Sequence, residues 1–222
     1  KKFLLAWTKT GPIDGFPCIF IFDAATFKKL NQIAISDAQI DSVEFSWLSN
    51  MLLVVSSTKQ GEEQQVSTLT VWDFMDGHKD IFCKSMIPIG VTESCWNPYT
   101  QMNADEFITI SDRCYHFWRI TKDLQLQYQE GELPSKQTEG FRDKSDMFTT
   151  LCFVKPDHLH HSVYLMLGLA SGYVWVVDSK VNQFLFNVKV LDNAAGGVNR
   201  IFSSHARIVI EAKNSPIIHC WD

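Results

Sequence analysis

The chain has 222 residues, 45% of them hydrophobic and 20% charged, with 20 Lys and Arg against 25 Asp and Glu for a formal net charge of -5. That apolar fraction is ample for a core, which excludes disorder and any need for disulfide staples. Scattered basic residues under a negative total argue against nucleic acid as a partner.

The amino terminus reads Lys1-Lys2-Phe3-Leu4-Leu5-Ala6-Trp7, and Thr8, Lys9 and Thr10 end its apolar patch too early for a signal peptide. With no Met and a pattern that opens in mid-unit, the chain is expected to be a segment of a longer one. Short β-branched and aromatic runs follow, bounded by Gly, Asn, Asp or Pro, with almost no helical spacing of apolar residues. One strand type recurs as Cys18 to Asp23, Thr68 to Phe74, Cys114 to Ile120, Tyr173 to Asp178 and Pro216 to Asp222. The residues before the terminal Asp or Arg are Phe22, Trp72, Trp118, Val177 and Trp221, at intervals of 50, 46, 59 and 44. Such a period implies propeller blades.

Each interval holds the other strands of a blade. Strands are expected at Lys29 to Ile35, Ile40 to Trp47 and Met51 to Thr58, then at Val91 to Pro98, Glu106 to Asp112 and Leu124 to Glu130. Beyond these come Met147 to Val154, Ser162 to Leu169, Gln183 to Leu191, Gly197 to Ser204 and Ala206 to Lys213. Asp76-Gly77 and Ser171-Gly172 suit tight hairpins, because Gly accepts positive φ. The expected fold is therefore all-β, a β-propeller in part: three complete blades and two partial ones. Approximate boundaries are 1-36, 37-88, 89-132, 147-191 and 196-222, with an inserted loop at 131-146. Three blades plus two partial ones do not close a ring and leave open sheet edges for missing blades; the alternative is that the partial units merge to close a small ring.

The segments Thr70-Val71-Trp72-Asp73-Phe74 and Trp221-Asp222 resemble WD repeats. More specifically, Cys95-Trp96-Asn97-Pro98-Tyr99 followed by His116-Phe117-Trp118 resembles the repeats of the echinoderm microtubule-associated protein-like (EML) group and related cilia- and flagella-associated WD-repeat proteins. The match covers Leu69 to Ile120, with His116 one residue closer to the aromatic pair than in the family style. Gly77-His78 follows the WD strand and so is not the dipeptide that precedes the innermost strand of a generic repeat. The resemblance implies a non-catalytic protein-protein interaction scaffold, a structural or regulatory component of the ciliary axoneme. Its partners would be axonemal complex subunits, with indirect microtubule association. The alternative is a cytosolic WD-repeat adaptor in transport, ribosome assembly or ubiquitin-ligase substrate recognition.

Candidate sites are few. The loops Thr8 to Pro17, Lys59 to Val66, Gly131 to Asp146 and Asp192 to Gly197 fall on one propeller face, and loops on a rigid frame commonly carry binding groups. Glu62, Glu63, Gln64, Glu132, Lys136, Arg142 and Lys144 are the candidate partner-facing residues. Asp157, His158, His160 and His161 lie too close in sequence to converge on one ion without a rigid frame, and the six cysteines show no C-x-x-C pair, so no metal is expected. Ala194-Ala195-Gly196-Gly197 lacks the helix and Lys of a phosphate loop. No G-x-S-x-G elbow occurs, and neither an enzyme activity nor a cofactor is expected. The apolar window Val163 to Val177 is broken by Ser171-Gly172 and falls short of the roughly 20 residues of a membrane-spanning helix, so no membrane contact is expected.

Overall fold

The computed structural model describes residues 3-8, 15-35, 39-46, 51-60, 64-73, 80-99, 105-131, 146-156, 162-191, 196-204, 207-215 and 218-221. Five antiparallel sheets follow one another along the chain, each with its strands in sequence order. The first holds β1 (Phe3–Trp7), β2 (Cys18–Asp23) and β3 (Lys29–Ala34). The second holds β4 (Gln39–Phe45), β5 (Met51–Gln60), β6 (Gln64–Asp73) and β7 (Asp80–Ile87). The third comprises β8 (Glu93–Trp96), β9 (Glu106–Ile110), β10 (Tyr115–Ile120) and β11 (Leu126–Glu130). The fourth comprises β12 (Phe148–Val154), β13 (Tyr164–Leu169), β14 (Tyr173–Asp178) and β15 (Gln183–Lys189), and the fifth β16 (Val198–Ser204), β17 (Arg207–Ala212) and β18 (Ile218–Trp221).

Strand periodicity explains how the sheets stack. In the run Met51-Leu52-Leu53-Val54-Val55, alternate side chains point to opposite faces, and both faces are buried. Leu52 and Val54 join Ile19, Ile21 and Ile33 of the first sheet, whereas Leu53 and Val55 join Trp96, Phe107 and Trp118 of the third. A further core unites Ile108, Ile110 and Tyr115 with Phe148, Phe153 and Trp175. The last unites Val174, Val176 and Leu191 with Val198, Ile201 and Ile210. Four cores thus join five sheets in succession. Trp96 also donates its indole N–H to the Glu44 carbonyl at 3.1 Å, fastening the third sheet to the second.

The terminal Asp of the recurring strand has a local purpose. Asp23 Oδ1 accepts the Ala25 and Thr26 amides at 3.0 and 2.7 Å, and Asp178 Oδ1 accepts the Lys180 amide at 2.9 Å. Each carboxylate closes the turn into the outermost strand. Those turns share a left-handed residue, Phe27 at φ 55° and Asn182 at φ 53°, with Leu124 at φ 57° in the third sheet. There Arg119 occupies the Asp position, and Thr121 closes the turn instead by accepting the Gln125 amide at 3.2 Å.

Two expectations change. The loop expected at Lys59 to Val66 is mostly strand: β5 and β6 stay paired from Met51↔Asp73 to Gln60↔Gln64, because alternating Ser, Thr, Gln and Val residues sustain the ladder as well as apolar ones. The strand expected at Val91 to Pro98 shortens to Glu93–Trp96, since Pro98 lacks an amide donor and lies in the following turn. Gly172 takes φ 85° in the β13-β14 hairpin, as the Ser171-Gly172 pair requires, whereas Asp76-Gly77 lies outside the described residues.

Candidate functional site: the cleft between the third and fourth blades

Antiparallel succession sends alternate connections to opposite ends of each blade. The first-to-second and third-to-fourth strand connections leave by one end, the second-to-third and blade-to-blade connections by the other. The candidate loops from the sequence belong to the second end. Of their residues, Glu62, Glu63, Glu132, Lys136, Arg142 and Lys144 lie outside the described residues, and Gln64 is described only as the first position of β6. Asp157 to His161 and Ala194-Ala195 lie outside them also. The anchors of the loops are described. Thr8 accepts the Cys18 amide through Oγ1 at 2.9 Å, and the Gly131 amide bonds the Tyr115 carbonyl at 2.8 Å. Asp146, 6% exposed, accepts the Ser171 amide at 3.0 Å and the Ser171 hydroxyl at 2.5 Å, tying the start of the fourth blade to its own hairpin.

A cleft of about 730 Å³ opens at the other end, between the third and fourth blades. Strand alternation supplies one wall: Glu106 and Ile108 of β9, Phe117 and Arg119 of β10, and Gln127 and Gln129 of β11 share the face toward the fourth blade. Phe153, Lys155, Val163, Ser179, Lys180 and Asn182 line the opposite wall. The floor is apolar, with Ile108 and Phe153 in the shared core and Phe117 and Val163 packed against it.

The rim is polar. Arg119 Nη2 and Nε donate to Glu106 Oε1 at 2.6 and 3.0 Å, with the Arg119 side chain 67% exposed. The Asn97-Pro98-Tyr99 turn stands at the mouth, closed by the Tyr99 amide on Asn97 Oδ1 at 3.0 Å. Lys155 Nζ lies 5.9 Å from the Tyr99 ring centre, within cation-π range. Asn182 is 4% exposed and bridges the blades by donating its Nδ2 to the Glu130 carbonyl at 3.1 Å. That bond fixes the amide orientation and leaves Asn182 Oδ1 buried without a partner. Residues of the sequence motif, Asn97, Tyr99, Phe117 and Trp118, all line this cleft.

A second polar group sits on the innermost strands. Burial pushes the Glu93 carboxyl up, opposed by hydrogen bonds from Thr150 and the Leu151 amide and by Arg200. Burial also pushes the Cys152 thiol up, opposed by its Ser203 contacts. A thiol so held is a poor nucleophile, since the thiolate is the reactive form. Among the described residues no group of three or more His, Cys, Asp and Glu could hold a metal ion.

The fold has a solved counterpart. The chain is similar to the β-propeller domain of Cps50 (Swd1) from Myceliophteria thermophila, with a TM-score of 0.66 and 16% identity over 99% of this chain and 62% of that one. At that identity the likeness establishes architecture alone: an all-β propeller of five blades. The two three-stranded sheets, expected as partial blades, take their places as blades in that one array. This chain spans about 62% of the length of the propeller domain it matches. No protein-family model and no curated protein matches the sequence.

Sequence reasoning missed the cleft because it sorted loops by length. Its polar residues lie in short turns and at strand ends. The legible signal was Arg119 at a position where Asp23, Asp73 and Asp178 stand in other blades.

Proposed function

We propose that the protein is a non-catalytic protein-interaction scaffold that presents the cleft between its third and fourth blades to a partner. The observation that carries this reading is the cleft lining: an apolar floor ringed by charged residues at strand ends and in short turns, which suits recognition of a surface rather than bond-making chemistry. Placement in the ciliary or flagellar axoneme, among axonemal complex subunits and with indirect association to microtubules, is the finer part of the proposal. It is supported by the Asn97-Pro98-Tyr99 and His116-Phe117-Trp118 resemblance. That the blades belong to a larger ring is a further part, supported by the 62% span of the similar propeller domain.

Cross-linking mass spectrometry of native extracts tests the scaffold reading, with reproducible cross-links to one set of proteins expected and none refuting it. Peptides retained in salt-washed axonemes support the axonemal part, because high salt screens surface charge. Recovery only from soluble cytoplasm refutes that part and favours an adaptor elsewhere.

A further inference from the structure

We infer that the cleft between the third and fourth blades receives an extended acidic peptide segment that carries one aromatic or branched aliphatic side chain. The inference rests on the scaffold reading and names the chemistry of the partner segment at that site. Its first support is charge. The protein carries -5 overall, yet among the described residues the charged ones lining the cleft are Arg119, Lys155 and Lys180 against Glu106 alone. Among the described residues neither lysine ammonium forms an ion pair. Arg119 stands where the other four repeats place Asp, so blade three exchanges a turn-closing anion for a cation at the cleft mouth.

The second support is the floor. Phe117 and Val163 are only partly buried beside the fully packed Ile108 and Phe153, so an apolar side chain entering between the blades continues an existing core. The third is Asn182. Its Oδ1 is a buried acceptor without a donor in a residue 4% exposed, and a peptide backbone supplies N–H donors along its length. An isolated anion would satisfy the cations but neither the floor nor this acceptor. A segment with carboxylates, one apolar side chain and its own backbone amides satisfies all three.

Fluorescence anisotropy tests the inference with the purified protein and three labelled probes: a glutamate-rich peptide with one central phenylalanine, its lysine-rich counterpart, and the acidic peptide with serine for phenylalanine. Only the first is expected to bind well, and the serine peptide is expected to bind about tenfold more weakly. Lys155→Glu with Lys180→Glu is expected to weaken the first probe about tenfold or more, since each rim attraction becomes a repulsion. Lys28→Glu with Lys29→Glu, at the turn between β2 and β3, is expected to leave binding within about twofold. A melting curve checks that each variant folds, and Lys155→Gln with Lys180→Gln provides a milder version of the same test. Absence of binding by the acidic probe, equal binding of the lysine-rich one, or equal loss in the two charge-reversal variants would overturn the inference. Native cross-links that persist while the acidic probe fails would leave the scaffold reading standing and remove this one.

Discussion

Replacement of Thr109 by Val should expose what one buried hydroxyl contributes to the third blade. Trp118 Nε1 donates to Thr109 Oγ1 at 2.9 Å, and the two residues are 1% and 0% exposed. Val keeps the volume but removes the acceptor, so the indole N–H stays buried and unpaired at a cost of about 1 to 3 kcal/mol. For a chain of this size that is a fall in Tm of roughly 3 to 10 °C. The second blade supplies the comparison. Trp118 pairs with Phe107, two residues before Thr109, and Trp72 pairs with Leu52, two residues before Val54. Val54 has no hydroxyl, and Trp72 Nε1 is buried without a partner. Val54→Thr should therefore gain about 0.5 to 1.5 kcal/mol where Thr109→Val loses stability. Urea titrations of both variants, and of Thr109→Val in a Trp118→Phe background, measure the coupling. The reasoning fails if Thr109→Val costs as much without the indole as with it, or if the Val54 exchange destabilises.

Other expectations follow from single contacts. A Cβ at Gly131 would lie 2.0 Å from the buried Tyr115 ring, so Gly131→Ala should cost about 1 to 3 kcal/mol by overpacking, read as a shifted urea midpoint at unchanged slope. Burial holds the His116 imidazole below its ordinary range, with Glu130 opposing, and its Nδ1 is buried without a partner. The unfolded chain then binds the extra proton, so the contribution of His116 is full above pH of about 6.5 and is lost as pH falls toward the lower folded value. His116→Phe should flatten stability between about pH 5 and 7, and an unchanged slope would contradict this. Thiol labelling at about pH 8 should modify exposed Cys220 first and Cys83, pushed up to about 11 by burial, only on unfolding. Removing the exposed Arg119–Glu106 pair by double alanine substitution should change stability by less than about 1 kcal/mol.

The repeat was legible because its physics is local. A strand ending in Asp announces itself through β-branched residues on both faces and a carboxylate that closes the next turn, as Asp23 and Asp178 do. Strand limits were less legible where polar residues kept pairing, as from Thr58 to Gln60 against Gln64 to Val66. The cleft was barely legible. It forms from Phe117, Lys155 and Asn182, which come together only when two blades pack, and no sequence interval records which face of β10 meets the fourth blade. A residue at odds with its repeat position, Arg119, was the local trace of that long-range arrangement.

The four successive cores also set how disturbance spreads. Each blade is cemented to its neighbours by separate seams, so resistance to opening is a property of seams, and loosening one leaves distant ones largely intact. Anything seated between the third and fourth blades acts as a staple across one seam. Its imprint on amide exchange would therefore be regional, slowing exchange in β9 to β14 and fading toward β2. Such a staple would register as local stiffness in the two blades it spans.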